Sequence, residues 1–197
     1  MTAELRDRQH QRFCNALAAV APDAPTLCEG WTAHDLAVHV WQLKRDPVTW
    51  PAEILPPLRG LSRRRAADVK ARWSYPDLVE RLRAEPAAIA CMPDDRFEGY
   101  RHSLGEYYVH TQDVARANDL DRQPSEPDVQ EALWLRVRRA GLALHWRTRG
   151  LVLARPDGRS VKVTPGAPSL TVTGEPSELM CWVYGRTAVA DVTLERP

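Results

Sequence analysis

Glu106 and His110 lie four residues apart in the stretch Gly105-Glu106-Tyr107-Tyr108-Val109-His110-Thr111-Gln112-Asp113. On a helix, positions i and i+4 share one face, a turn apart. A carboxylate and an imidazole so spaced can close on one divalent cation from a single rigid element. One or two more ligands then complete the centre. The best candidate elsewhere is His39, in Trp31-Thr32-Ala33-His34-Asp35-Leu36-Ala37-Val38-His39. Asp113 is better placed to orient a ligand than to be one. His102, one turn before Glu106, is a further ligand candidate. Cys28 precedes a Gly-Trp turn near a helix start, where a thiolate is favoured. No base adjoins it in the sequence, and buried packing is the plainer reading.

Each of these residues has a plain alternative. His102, Glu106, His110 and Asp113 fall on one stripe, which by periodicity alone is the solvent face of an amphipathic helix. Against this stand Tyr107, Tyr108 and Val109, which make the helix apolar on several sides. A helix wrapped by neighbours must aim its polar stripe at a cavity or at partners, because unpaired buried charge is costly. His39 sits beside Val40 on an apolar face and reads equally as a core histidine.

The elements that would position these residues follow from hydrophobic spacing. Leu5, Phe13, Leu17 and Val20 form a stripe on a first helix over 3–21. Thr32 opens a second with a capping box to Asp35, and Leu36, Val40 and Leu43 mark its buried face. Residues 44–73 carry four prolines and the run Arg63-Arg64-Arg65. They read as a long connection with at most one short helix, or as a lid over a site. Ser74-Tyr75-Pro76-Asp77 starts a third helix that Pro86 should kink or split. A fourth covers 103–118 and a fifth opens at Ser125-Glu126-Pro127-Asp128. From about 148 the pattern turns to short β-rich runs, 151–155, 160–163, 169–173 and 189–194, with a turn at Pro156-Asp157-Gly158 and a short helix over 175–185. The expected class is α+β: a helix bundle over 1–147, then a small antiparallel sheet with one helix over 148–197. Facing helices of a bundle can bring His39 to Glu106 and His110.

The 197 residues suffice to bury a core, and the net charge of +1 exerts no general pull on nucleic acid or an anionic membrane. Cys14, Cys28, Cys91 and Cys181 are scattered and form no Cys-x-x-Cys pair, which fits a reducing compartment. The charged N-terminus and the lack of a long apolar run predict a cytoplasmic protein. All but three of the 27 basic residues are arginine, a mark of a GC-rich genome.

Cys28-Glu29-Gly30-Trp31-Thr32 followed by His39, then Glu106-x-x-x-His110-x-x-Asp113, resembles the DinB-like metal-binding superfamily. Within it the chain is most similar to the actinobacterial, mycothiol-dependent maleylpyruvate isomerase-like group. The segment from Gly174 through Pro176-Ser177 and Leu179 to Gly185-Arg186 resembles the sterol-carrier-like C-terminal domain of that group. The resemblance covers most of the chain, least so residues 44–73.

It implies an up-down four-helix bundle whose zinc, or another divalent metal, is held by His39, Glu106 and His110, with one position open. It also implies mycothiol as cosubstrate and a small electrophile as substrate, in an isomerase or S-transferase reaction. Arg186 would hold a carboxylate, its plainer role being a helix-end contact with a backbone carbonyl. Two other readings stay open: a metal-dependent hydrolase on the same fold, and a non-catalytic metal-binding module. A monomer or homodimer is expected, without nucleic-acid or membrane partners. Neutral imidazoles are needed for the metal, so affinity should fall below about pH 6.

Overall fold

The computed structural model describes residues 2–48, 56–89, 95–120 and 125–196. The chain forms two compact units, 1–122 and 123–197. In the first lie α1 (Thr2–Ala18), α2 (Ala33–Arg45), a 3-10 turn (Pro56–Leu58), α3 (Arg59–Arg72), α4 (Tyr75–Ala84) and α5 (Arg101–Ala117). In the second lie α6 (Pro127–Leu144), β1 (Leu151–Ala154), β2 (Ser160–Lys162), β3 (Leu170–Thr173), α7 (Pro176–Val183) and β4 (Thr193–Glu195). The class is α+β, as the sequence predicts.

In the first unit α1 packs on α4 and α5, and α2 packs on α3 and α4. The predicted stripes point into the core: Phe13, Leu17, Leu36, Val40, Leu43, Leu78 and Leu82 are buried. Each such aliphatic side chain contributes roughly 1.5–3 kcal/mol on leaving water. The capping box is present, with Thr32 accepting from the Asp35 backbone N–H while Asp35 accepts from that of Thr32. Ser74 likewise caps α4 by accepting from Asp77 N–H. The third helix ends at Ala84, before Pro86, while Cys91, expected at its end, lies outside the described residues.

Residues 59–72 differ from expectation. They form a full α-helix of 14 residues. Ala66, Val69 and Trp73, spaced at three and four, lay this helix against the core. A lysine–aspartate pair, Lys70 to Asp35 at 2.7 Å, ties it to α2. The flanking prolines and the arginine run hid that weak stripe.

In the second unit the sheet order is β2-β1-β3-β4. The Pro156-Asp157-Gly158 turn closes an antiparallel β1–β2 hairpin. β3 then pairs with β1 in parallel, and β4 with β3 antiparallel. The sheet is thus mixed, not antiparallel as expected. After β2 the chain crosses the N-terminal end of β1 and enters on its far side, so β3 runs with β1. Gly150 stands at the crossing with φ +69°, and a Cβ there would lie 1.9 Å from the Ala167 carbonyl oxygen. Only a residue without a side chain fits. The helix over 127–144, counted with the bundle by sequence, packs on α7 within this unit. Gln130 joins the pair, accepting from Ser177 N–H at 2.9 Å and donating to Ser177 Oγ at 3.0 Å.

Candidate metal centre

Two helices and one loop of the first unit converge on His110. The loop between α1 and α2 is pinned to α5: Leu27 N–H donates to the Asp113 carbonyl at 3.1 Å, and the Asn118 amide donates to the Pro25 carbonyl at 2.9 Å. This sets Cys28 beside Asp113 and leads into α2 at its Thr32 cap. Two turns on, α2 brings His39 against α5. The start of α5 is held by buried Asp95, which accepts from the Ser103 backbone at 3.0 Å and the Ser103 hydroxyl at 2.8 Å.

His39, Glu106 and His110 each offer a ligand atom, and the three atoms all lie within 4.8 Å of one another. The His39 and His110 rings meet edge to face at 5.3 Å. Glu106 Oε2 lies 3.5 Å from His110 Nε2, and Glu106 Oε1 lies 3.6 Å from His102 Nε2. The other face of the His110 ring system is occupied differently. His110 Nδ1–H donates to Asp113 Oδ2 at 2.9 Å, and the Cys28 thiol donates to the same oxygen at 3.2 Å. Asp113 is fully buried.

A second set of donor atoms, Cys28, His110 and Asp113, is equally compact. The two sets share His110 but use opposite sides of its ring. Asp113 holds the proton on Nδ1, which leaves Nε2 as the nitrogen facing Glu106 and His39, able to bind a metal once its own proton is lost. That is the usual arrangement of a carboxylate behind a metal-bound imidazole. We therefore take the His39–Glu106–His110 side as the candidate centre and Cys28–Asp113 as its support.

The charges agree with a cation there. Burial alone would raise the Glu106 carboxyl, but bonds from His102 and His110 outweigh it and hold the group well below the usual range. Burial alone would lower His110, yet its bonds to Asp113, Cys28 and Glu106 outweigh that and push it well above the usual imidazole value. A buried carboxylate, Asp113, and a largely shielded one, Glu106, flanking one ring make a well for positive charge. Two imidazoles and a carboxylate are also a donor set suited to zinc.

A cavity of about 820 Å³ opens beside His39, lined also by Trp31, Asp35, Gln42, Ser62 and Arg63. Trp31 packs on the His39 ring at 5.0 Å. Sequence reasoning named His39, Glu106, His110 and Asp113, and the structure gathers all four. It did not place Ser62 or Arg63 on a cavity wall, because α3 was read as mainly connection, nor Gln42, which falls outside the apolar stripe of α2. It saw no partner for Cys28, because that partner is 85 residues away. Arg186 lies in the second unit, just past α7, where its Nη1 donates to the Tyr184 carbonyl.

No protein-family model matches the chain, and no curated protein is similar enough in sequence to match it. Two solved structures do match. The crystal structure of the mycothiol-dependent maleylpyruvate isomerase is similar with a TM-score of 0.67 and 17% identity, over 99% of this chain and 93% of that one. The crystal structure of a histidine-to-alanine mutant of that isomerase matches with a TM-score of 0.58, again at 17% identity and with the same coverage. At this identity the likeness is one of fold, and over almost its whole length this chain is similar to, and shares the fold of, the mycothiol-dependent maleylpyruvate isomerase.

Proposed function

We propose that the protein is a divalent-metal enzyme, with zinc the best fit to its donors, that uses a low-molecular-weight thiol on a small electrophile. The convergence of His39, Glu106 and His110 beside an open cavity carries this reading. Mycothiol is the proposed thiol, and isomerisation or S-transfer the proposed reaction. The similarity in fold to a mycothiol-dependent isomerase supports both. The bundle is proposed to be DinB-like and the C-terminal domain sterol-carrier-like.

A metal bound by three protein side chains would keep a position open and lower the pKa of a thiol entering there, so that the thiolate exists at neutral pH. The chain's own residues do the rest. His39 and His110 offer ring nitrogens, and Glu106 supplies negative charge. Asp113 holds the proton of His110 on Nδ1. Trp31 shields one side of the site from water. Arg63, exposed on the cavity wall, meets an anionic part of the substrate. Among the described residues no disulfide joins Cys14, Cys28 or Cys181, in keeping with a reducing, cytoplasmic setting. Among the described residues no helix is long and apolar enough to cross a membrane.

The test is turnover by zinc-loaded protein with purified mycothiol and maleylpyruvate, then with other small electrophiles. Thiol-dependent turnover supports the proposal. Cleavage of esters or amides without thiol would establish the hydrolase reading instead. Tight metal binding with no acceleration of any of these reactions would leave a non-catalytic module.

A further inference from the structure

A second cavity of the first unit, of about 600 Å³, shares Gln42 with the first but faces α3 and α4. Four arginines and three carboxylates line it. Arg45 pairs with Glu85 and Arg65 with Asp46. Arg72 and Arg81 have no carboxylate partner among the described residues, although Asp68 is one helical turn from Arg72. Instead, both lie against one ring: their guanidinium carbons stand 4.7 and 5.1 Å from the centre of Trp73. Trp73 in turn meets buried Trp41 edge-on at 4.9 Å, and Arg45 covers Trp41 at 4.8 Å.

Stacking on an aromatic ring fixes the plane of a guanidinium and directs its N–H groups outward from the ring edge. Two such planes held by one ring, each without an anion, form a preorganised pair of forks for an oxyanion. Gln42 adds a second, independent sign. It is only 3% exposed, it lines the cavity, and its Nε2 has no partner among the described residues. A buried amide N–H without an acceptor is costly, and native structures rarely leave one so. The cavity is also of the size that takes small organic molecules.

We infer that the cleft between α2, α3 and α4, walled by the Trp41–Trp73 pair, is an anion-binding site separate from the metal centre, taking the carboxylate or phosphate group of a small molecule between Arg72 and Arg81. The inference does not depend on the metal reading. Full-length protein labelled with ¹⁵N carries seven tryptophan indole N–H signals to observe. Sodium succinate and sodium phosphate are titrated separately, with sodium chloride keeping ionic strength constant. Saturable shifts of the Trp41 and Trp73 signals are expected. Saturation by succinate alone identifies a carboxylate site, by phosphate alone a phosphate site, and by both a general oxyanion site. Arg72→Gln with Arg81→Gln should weaken binding at least tenfold, and Arg63→Gln, in the other cavity, should leave it unchanged. Should the double variant not fold, each single variant should still weaken binding at least threefold. No saturation with either anion, or saturation that survives loss of both arginines, overturns the site.

Discussion

At His110 the two ring nitrogens do different work: Nε2 faces Glu106 and His39, and Nδ1 is committed to Asp113. Asp113→Asn should keep the helix but lower metal affinity about 10- to 100-fold, as read by competition with a chelator. Against the opposing effect of burial, bonds to Asp113, Cys28 and Glu106 hold His110 well above the usual imidazole value, so metal must displace a proton that the ring holds more tightly than a free imidazole would. Zinc binding should therefore release protons, and affinity should go on rising with pH above the ordinary imidazole range; calorimetry in buffers of different ionisation enthalpy reads both. A second histidine gives a pH effect on stability itself. Burial, with Lys44 Nζ 3.5 Å from its ring, brings His10 down to about 4, and burial brings Lys44 down to about 8. Between about pH 4 and 6.5 the unfolded chain binds a proton at His10 that the folded chain refuses, so stability falls as pH drops through that window. The loss should be roughly 2–3 kcal/mol in urea unfolding, and His10→Gln should flatten it. The chemistry-bearing residues of α5 were readable because i and i+4 place side chains without knowledge of the fold. The Cys28–Asp113 contact and the His10–Lys44 pair were not readable, because each joins helices or loops distant in sequence.

Two local devices carry the site and the tail. Thr32 starts the helix that presents His39, and Thr32→Ala should cost about 1 kcal/mol while metal content stays unchanged. Gly150 and Gly158 both have positive φ, but only Gly150 has backbone where a Cβ would stand. Gly158→Ala should cost about 1 kcal/mol for its left-handed conformation alone. Gly150→Ala should cost more than twice that by urea unfolding, and equal losses would contradict the crossing geometry at β1. The capping box at Thr32, the Ser74 cap and the hairpin turn were legible because their signals lie within four residues. α3 was not: its contact stripe is Ala66, Val69 and Trp73 among charged neighbours, and only the packed core reveals it. The parallel pairing of β1 and β3 was equally hidden, since strand alternation records which face is buried but not direction.

At the scale of the molecule, the sequence pattern yields the class, while the division into units follows packing. The helix over 127–144 follows the other helices in sequence, so element order assigned it with them, whereas its contacts lie with α7. The first unit alone contains His39, Glu106, His110, Asp113 and Cys28, so the proposed centre needs no side chain from the second. The decisive measurement is anomalous X-ray scattering at the zinc edge from crystals of zinc-loaded protein. The account predicts one peak per chain within about 2.0–2.2 Å of a nitrogen of His39, an oxygen of Glu106 and Nε2 of His110, with Asp113 not coordinated. A peak held by Cys28 and Asp113 on the Nδ1 side, or no peak near α5, would contradict it.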